Sequence, residues 1–312
     1  MSAGPGELSE VPELRDLALS RAEVDRATAR RGDPEWLAAA WADPATRVVV
    51  VEEGRALVRS GPGTEQLVFV PPAQAPEGVS FLLGVAADQA VYFGVAGTLP
   101  KPDAGDARPA SLREAGPHLS DRDVGLMVHA VGLANWHAVH GHCPRCGART
   151  EPAQSGHSRR CPVDGSEHFP RLDPAVIMLV TDPDDRCLLA RNAQWPERRV
   201  SILAGFVEPG ESAEQAVARE VFEETGISVV GARYVGSQPW PMPHSLMLGF
   251  RARATGSLQI AVDSEEIAEA RWFSRDELRA SVAGGEIRLP PPVSIAHRII
   301  ESWYGSDLDG AW

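Results

Sequence analysis

Apolar and polar positions alternate in two different rhythms along this chain, and the rhythm changes the expected element from segment to segment. Short β-rich runs, TRVVVVEEG, QLVFVPP, SFLLGVAA and AVYFGVAG, are separated by Gly, Pro and Asp and predict a small sheet. Pro34 to Ala42 (PEWLAAAWA) reads as a helix, and Ser120 with Asp123 forms a capping pair for a second helix reaching His140. The apolar positions of that second helix, Val124, Met127, Leu133 and Trp136, mark a buried face. Lys101 to Arg113 reads as a loop. From Asp173 onward the pattern becomes strand-like again: PAVIMLVTD, a DPDD turn, CLLAR, then RVSILA, ISVVGARYVG, SLMLGFRARATG and EARWF. The last segment opens with prolines and continues as an amphipathic helix, with Ile295, Ile299 and Trp303 spaced by four. One helix stands apart, because its pattern is acidic as well as periodic.

That helix lies in Gly205 to Ile227, GFVEPGESAEQAVAREVFEETGI. Glu220, Glu223 and Glu224 fall at i, i+3 and i+4, on one face, while Val217, Ala218 and Val221 turn toward a core. Crowded carboxylates repel: at about 4 Å and an effective dielectric of about 20, each pair costs on the order of 4 kcal/mol. A divalent cation removes that cost. Gly205 and Gly210 bracket a tight loop, Glu211 sits at the positive end of the helix dipole, Arg219 lies among the acids, and Gly226 stops the helix.

Composition narrows the setting. With 312 residues and 43% apolar content the chain is long enough for two domains with ordinary cores. It has no run of about 18 apolar residues and no basic-then-apolar leader, so a cytoplasmic protein without a membrane span is expected. A formal charge of −13 argues against broad, sequence-independent nucleic-acid binding. Residues 1–11 read as a mobile tail. No catalytic arrangement is visible in residues 12–139, and His129, His137 and His140 read as packing or cap residues.

A cysteine stretch follows. Cys143 and Cys146 form a C-x2-C knuckle, and Cys161 comes after fourteen intervening residues. This resembles a zinc ribbon with one ligand changed, since a second knuckle would carry cysteine at position 164, where Asp164 stands. A carboxylate oxygen also ligates zinc, and His168 and His157 are rivals for the fourth place. A closed site of this kind has a structural role. Cys187, in the run RCLLA, reads as a buried strand residue.

Between two strands of the second half lies Ser237 to Ser245, SQPWPMPHS, with three prolines in nine residues. Fixed φ angles and missing donors make it a stiff loop presenting Gln238, Trp240 and the hydroxyls of Ser237 and Ser245. An indole on a rigid loop suits stacking on a flat ring.

The spacing from Gly205 through Glu211, Arg219-Glu220-Val221, Glu223-Glu224 and Gly226-Ile227 fills the Nudix box at every fixed position. SQPWPxPxS downstream of it resembles the NADH pyrophosphatase (NudC-type) subfamily, with Met242 where phenylalanine is expected and Asp164 in place of the fourth cysteine. The resemblance implies an α/β fold, with a Nudix α/β/α sandwich (173–312) preceded by a Nudix-like sheet domain (12–139) and a zinc ribbon (140–172). It implies magnesium or manganese held by Glu220, Glu223, Glu224 and the Ala204 carbonyl, with Glu266 as a further metal or base carboxylate. Arg219 would orient the glutamates, and Glu223, Glu224 and Glu266 stay open as the base. Zinc in the ribbon is implied likewise. The expected reaction splits NADH or NAD into AMP and nicotinamide mononucleotide, with removal of an NAD cap from RNA as an extension. Phe206 and Trp240 are candidates for stacking on the nicotinamide, Gln238 and Ser245 for hydrogen bonds to the dinucleotide, and Ala296 for a backbone contact. Pro239, Pro241, Met242, Pro243 and His244 complete the substrate loop. A homodimer is expected by analogy. The rivals are a Nudix hydrolase of another dinucleotide such as ADP-ribose, and an NAD-binding sensor without turnover.

Overall fold

A computed structural model describes residues 13–61, 64–101 and 107–308. The expected tail at 1–11 lies outside the described residues. Two contact-rich units emerge: one holds Asp173–Gln238, the described residues from 246 onward and those from 13 to 17; the other holds Ala18–Leu172 and Pro239–Ser245.

The second unit begins with α1 (Pro34–Ala42), capped by Asp33 accepting from the Trp36 amide. Strands β1 (Arg47–Val51), β2 (Arg55–Ser60), β3 (Glu65–Leu67), β4 (Val79–Val85), β5 (Val91–Ala96) and β6 (Ala107–Ser111) follow. They form two three-stranded sheets, β1-β5-β4 and β3-β2-β6, with β1 and β5 parallel. The stretch read as a loop therefore holds a strand and a helix start: β6 pairs along β2, and Ser111 opens the short α2 (Leu112–Ala115) through a capping box with Glu114. Cross-strand pairing with β2 overrides the weak local propensity of ARPAS. Helix α3 (Asp121–Val139) starts where the Ser120 side chain accepts from the Asp123 amide, and Val124, Met127, Leu133 and Trp136 are buried as their spacing required. His137 is a packing residue, its Nε2 2.8 Å from the Gly156 carbonyl and its Nδ1 2.8 Å from Arg159, and His140 caps the helix. A small sheet of β7 (Glu151–Ala153), β8 (Ser158–Arg160) and β9 (Glu167–His168) closes this unit.

The first unit is a three-layer sandwich. Its sheet contains β10 (Asp173–Thr181), β11 (Cys187–Asn192), β12 (Leu203–Phe206), β13 (Ser228–Trp240), β14 (Ser245–Thr255) and β15 (Ile267–Phe273), in the order β13-β14-β10-β11-β15 with β12 added against β10. The uninterrupted apolar run of β10 has a structural reason: alternate residues enter different cores, so neither face can be polar. Val176, Met178 and Val180 pack with Ala216, Val217 and Val221 of α4 (Ala213–Thr225). Ile177 and Leu179 pack with Leu278 of α5 (Arg275–Ala283) and with Ile295, Ile299 and Trp303 of α6 (Ile295–Tyr304). Cys187 is fully buried in this second core. Ala218 departs from the expected pattern: it is exposed, and Ala216 takes its place in the core. The segment Ser237 to Ser245 is also less of a loop than its prolines suggest, because Ser237 to Trp240 continue β13 and Ser245 begins β14.

Candidate active site and metal centre

Strand β12 brings the glycine-rich turn to the acidic helix. It runs antiparallel to β10, pairing Ile177 with Ala204, Val176 with Gly205 and Ala175 with Phe206. Ser212 and Gln215 form a capping box that starts α4, and Gly226, at φ 70°, ends it. Gly205 leaves the room that the Glu220 carboxylate occupies, since a Cβ there would stand 1.9 Å from the Glu220 carboxyl carbon. The strand and the carboxylate meet only because that side chain is missing.

Arg219 organises the acids. Its Nε and Nη2 donate to the two carboxylate oxygens of Glu211, each at 2.9 Å, a bidentate fork. Nη1 donates to Glu220 and Glu223, and Nη2 also to the Phe206 carbonyl, all at 2.9 Å. Glu211 was legible as an acid at a helix start; its pairing with Arg219 was not. The helix begins only at Ala213, so Glu211 lies in the preceding turn and reaches the guanidinium from there.

The three glutamates do not form one wet face. Glu223 is exposed, Glu220 half-buried, and Glu224 only 7% exposed. Burial, then the charges of Glu220, Glu266 and Glu223, push the Glu224 carboxyl up to about 8. Glu220 is raised too, chiefly by burial. Oxygen Oε2 of Glu224 is buried without a hydrogen-bond partner. Leaving a carboxylate oxygen in that state is costly unless a cation meets it. Hard oxygen donors of this kind suit magnesium or manganese. Glu266 belongs to the same electrostatic group, since its charge is among those that raise Glu224 and Glu220, and its carbonyl accepts from the Ala193 amide at 2.8 Å, beside the irregularity between Arg191 and Asn192 where β11 meets β15.

The other predicted site residues fall in several places. Ala204 and Phe206 are exposed on β12, Phe206 at 58%. Gln238 is fully buried and donates to the Val293 carbonyl at 3.0 Å. Ala296 is buried near the start of α6, where its amide donates to the Ser294 hydroxyl. Pro239, Trp240, Pro241, Met242, Pro243, His244 and Ser245 group with the second unit. There, the amide of Asn135 donates to the Pro241 and Pro243 carbonyls, and the Arg113 guanidinium lies 4.8 Å from the centroid of the Trp240 ring. Asn135 and Arg113 carried no signal in the sequence, because neither lies near the loop in the chain.

The ribbon is a repeated turn. Cys143 and Cys161 each begin a C-P-x-x-G turn, with Gly147 and Gly165 at φ 75° and 74°. In both turns the glycine amide donates to the first cysteine carbonyl, Gly147 to Cys143 at 2.8 Å and Gly165 to Cys161 at 3.0 Å. Cys146 and Asp164 therefore occupy equivalent positions. One ligand atom from each of Cys143, Cys146, Cys161 and Asp164 lies within 4.8 Å of the others. His168 stands outside this group, its Nε2 3.0 Å from the Ser166 hydroxyl, and His157 bonds to the Leu82 carbonyl. Three thiolates and one carboxylate arranged in this way are a donor set that fits zinc.

Sandwich, glycine cradle and acidic helix together define a Nudix hydrolase, and the NUDIX domain family matches residues 171–291. The NADH pyrophosphatase zinc ribbon domain matches 139–169, and the NADH pyrophosphatase-like rudimentary NUDIX domain matches 45–136. An NAD-capped RNA hydrolase NudC from Mycobacterium bovis is 45% identical over 300 residues, covering 91% of this chain and 94% of that protein. The human NAD-capped RNA hydrolase NUDT12 is 41% identical over 197 residues, covering 59% of this chain and 42% of that protein. A solved NUDIX hydrolase from Nitrosomonas europaea aligns at 22% identity and a TM-score of 0.42, covering 53% of this chain and 94% of that chain. The chain belongs to the NADH pyrophosphatase (NudC-type) subfamily of Nudix hydrolases. Among the described residues, no helix is long and apolar enough to cross a membrane.

Proposed function

We propose that this enzyme hydrolyses the pyrophosphate of NADH and NAD, releasing AMP and nicotinamide mononucleotide, and removes NAD caps from RNA. The observation that carries the reading is the buried, unpartnered Glu224 Oε2 within the acidic group of Glu220, Glu223 and Glu266. Such a site has use for a cation and little structural reason to exist without one.

Glu220, Glu223, Glu224, Glu266 and the Ala204 carbonyl are the donors proposed for magnesium or manganese. An ion held there would supply charge neutralisation on the non-bridging phosphate oxygens and a water of lowered pKa. Arg219, forked onto Glu211, fixes the rotamers of Glu220 and Glu223 by charge-assisted hydrogen bonds. Glu223, Glu224 and Glu266 are the carboxylates that would accept the proton of the attacking water. Trp240 is the residue proposed to stack on the nicotinamide ring. Zinc held by Cys143, Cys146, Cys161 and Asp164 is proposed as a structural staple, and the protein as a cytoplasmic homodimer.

Side-by-side hydrolysis of NADH, NAD, ADP-ribose and NAD-capped RNA with magnesium or manganese tests the reading. AMP with the matching mononucleotide is expected from NADH and NAD, and an RNA with a 5′ monophosphate from the capped substrate. A strong preference for ADP-ribose would reassign the enzyme, and binding without turnover would make it a sensor.

A further inference from the structure

The prolines of the 239–243 segment give it few N–H donors: the Met242 amide reaches the Trp240 carbonyl, and the Pro241 and Pro243 carbonyls are held from outside. Asn135 of α3 does this, its side-chain nitrogen lying 2.8 Å from the Pro241 oxygen and 3.3 Å from that of Pro243. Next to this clamp, Arg113 of α2 places its guanidinium carbon 4.8 Å from the centroid of the half-buried Trp240 ring. In a chain with 43 acidic residues against 30 basic ones, Arg113 forms no ion pair among the described residues. The indole is its electrostatic partner, and one face of that indole is thereby engaged by a cation.

We propose that Arg113 is a specificity-determining residue that favours the reduced, uncharged nicotinamide ring over the oxidised, cationic one. The inference rests on the stacking role proposed above for Trp240. An indole attracts a cation through the negative potential of its face, and a guanidinium already there leaves the ring less attractive to a second cation. Direct repulsion adds to this: two unit charges roughly 8 Å apart, at an effective dielectric of about 40, cost about fivefold in affinity. Dihydronicotinamide carries no formal charge and escapes both penalties. Asn135 acts as a positioning residue, holding the turn so that the indole stays beneath the guanidinium.

The test measures dissociation constants of reduced and oxidised nicotinamide mononucleotide, with kcat/KM for NADH and NAD, in the wild type and in Arg113→Gln, Arg113→Lys and Asn135→Ala. The wild type should favour the reduced form. Arg113→Gln should narrow the reduced-to-oxidised ratio by about fivefold, mainly by improving the oxidised arm. Arg113→Lys, which keeps the charge, should retain most of the preference, and Asn135→Ala should weaken both arms together. A ratio in Arg113→Gln equal to the wild-type ratio overturns the proposal. So does an Arg113→Lys variant that loses the preference as completely as Arg113→Gln, because charge would then not be the cause. If the wild type neither cleaves NADH or NAD nor binds either mononucleotide, the proposed function itself fails, and this inference with it.

Discussion

The acidic helix and the cysteine ribbon both gather anionic donors, and they differ in what they leave open. In the ribbon, two equivalent turns bring four ligand atoms within 4.8 Å of one another. At the helix, the carboxylates are graded from exposed Glu223 to buried Glu224, and Arg219 gathers two of them on its Nη1 while an oxygen of Glu224 has no partner. Zinc enclosed by four protein donors has no position for a substrate, whereas an incompletely satisfied carboxylate group can share its ion with phosphate and water. On the function proposed above, closure would make the first a staple and incompleteness the second a reaction site.

Changes that separate the two regions differ in size. The largest effect belongs to Glu224→Gln, which should lower kcat/KM by at least about 10³-fold, since several kcal/mol of transition-state stabilisation goes with the ion. The same substitution carries a stability signature. A carboxyl raised to about 8 in the fold favours the native state fully below its unfolded value, and that contribution is lost as pH rises toward 8. Metal-free wild type should therefore lose stability between about pH 4.5 and 8, by roughly 4 kcal/mol, while Glu224→Gln should not. Thermal melts in chelator across that range decide it, and added magnesium should restore the wild type at high pH.

Gly205→Ala comes next. The new Cβ would displace the Glu220 carboxylate, and a misplacement of about 1 Å is expected to cost on the order of 10²-fold in kcat/KM. Kinetics alongside melting curves separate that loss from simple unfolding. For the ribbon the pattern inverts. Cys146→Ser should release zinc and lower the melting temperature by roughly 5–10 °C, about 3 kcal/mol for a unit of this size, with kcat far less affected than by Glu224→Gln. A collapse of kcat in a folded Cys146→Ser protein would break the division between staple and reaction site. The smallest effect is that of Asp164→Cys, which should tighten zinc by roughly tenfold without altering turnover, because thiolate is the softer donor. Competition with a chromogenic chelator measures it.

Much of this was readable in the chain. The apolar run AVIMLVT declared a strand, and the spacing of Glu220, Glu223 and Glu224 declared a shared task. Turn repetition was equally legible, since CPRCG and CPVDG differ only where a side chain points at the metal position or away from it. What stayed hidden depends on distance in space. Periodicity placed Glu224 on the helix but could not say that Glu220, Glu266 and a closed core would leave one of its oxygens unpartnered. It chose Ala218 for the core where Ala216 packs, because adjacent helix positions differ by about 100° and the boundary of a face is set by its neighbours. Three prolines suggested a stiff loop, yet Ser237 to Trp240 join a strand whose hydrogen bonds local propensity does not count. Asn135 and Arg113, more than a hundred residues before the segment they hold, had no local pattern to betray them.

The central claim is that the graded acidic group of α4 performs metal-dependent pyrophosphate cleavage in NAD(H). Its most direct measurement is single-turnover hydrolysis of NADH with magnesium by the wild type and by Glu224→Gln, with the products identified by mass spectrometry. The account predicts AMP and reduced nicotinamide mononucleotide from the wild type, and neither from the variant on the same time scale. Equal product formation by a folded Glu224→Gln protein would contradict it.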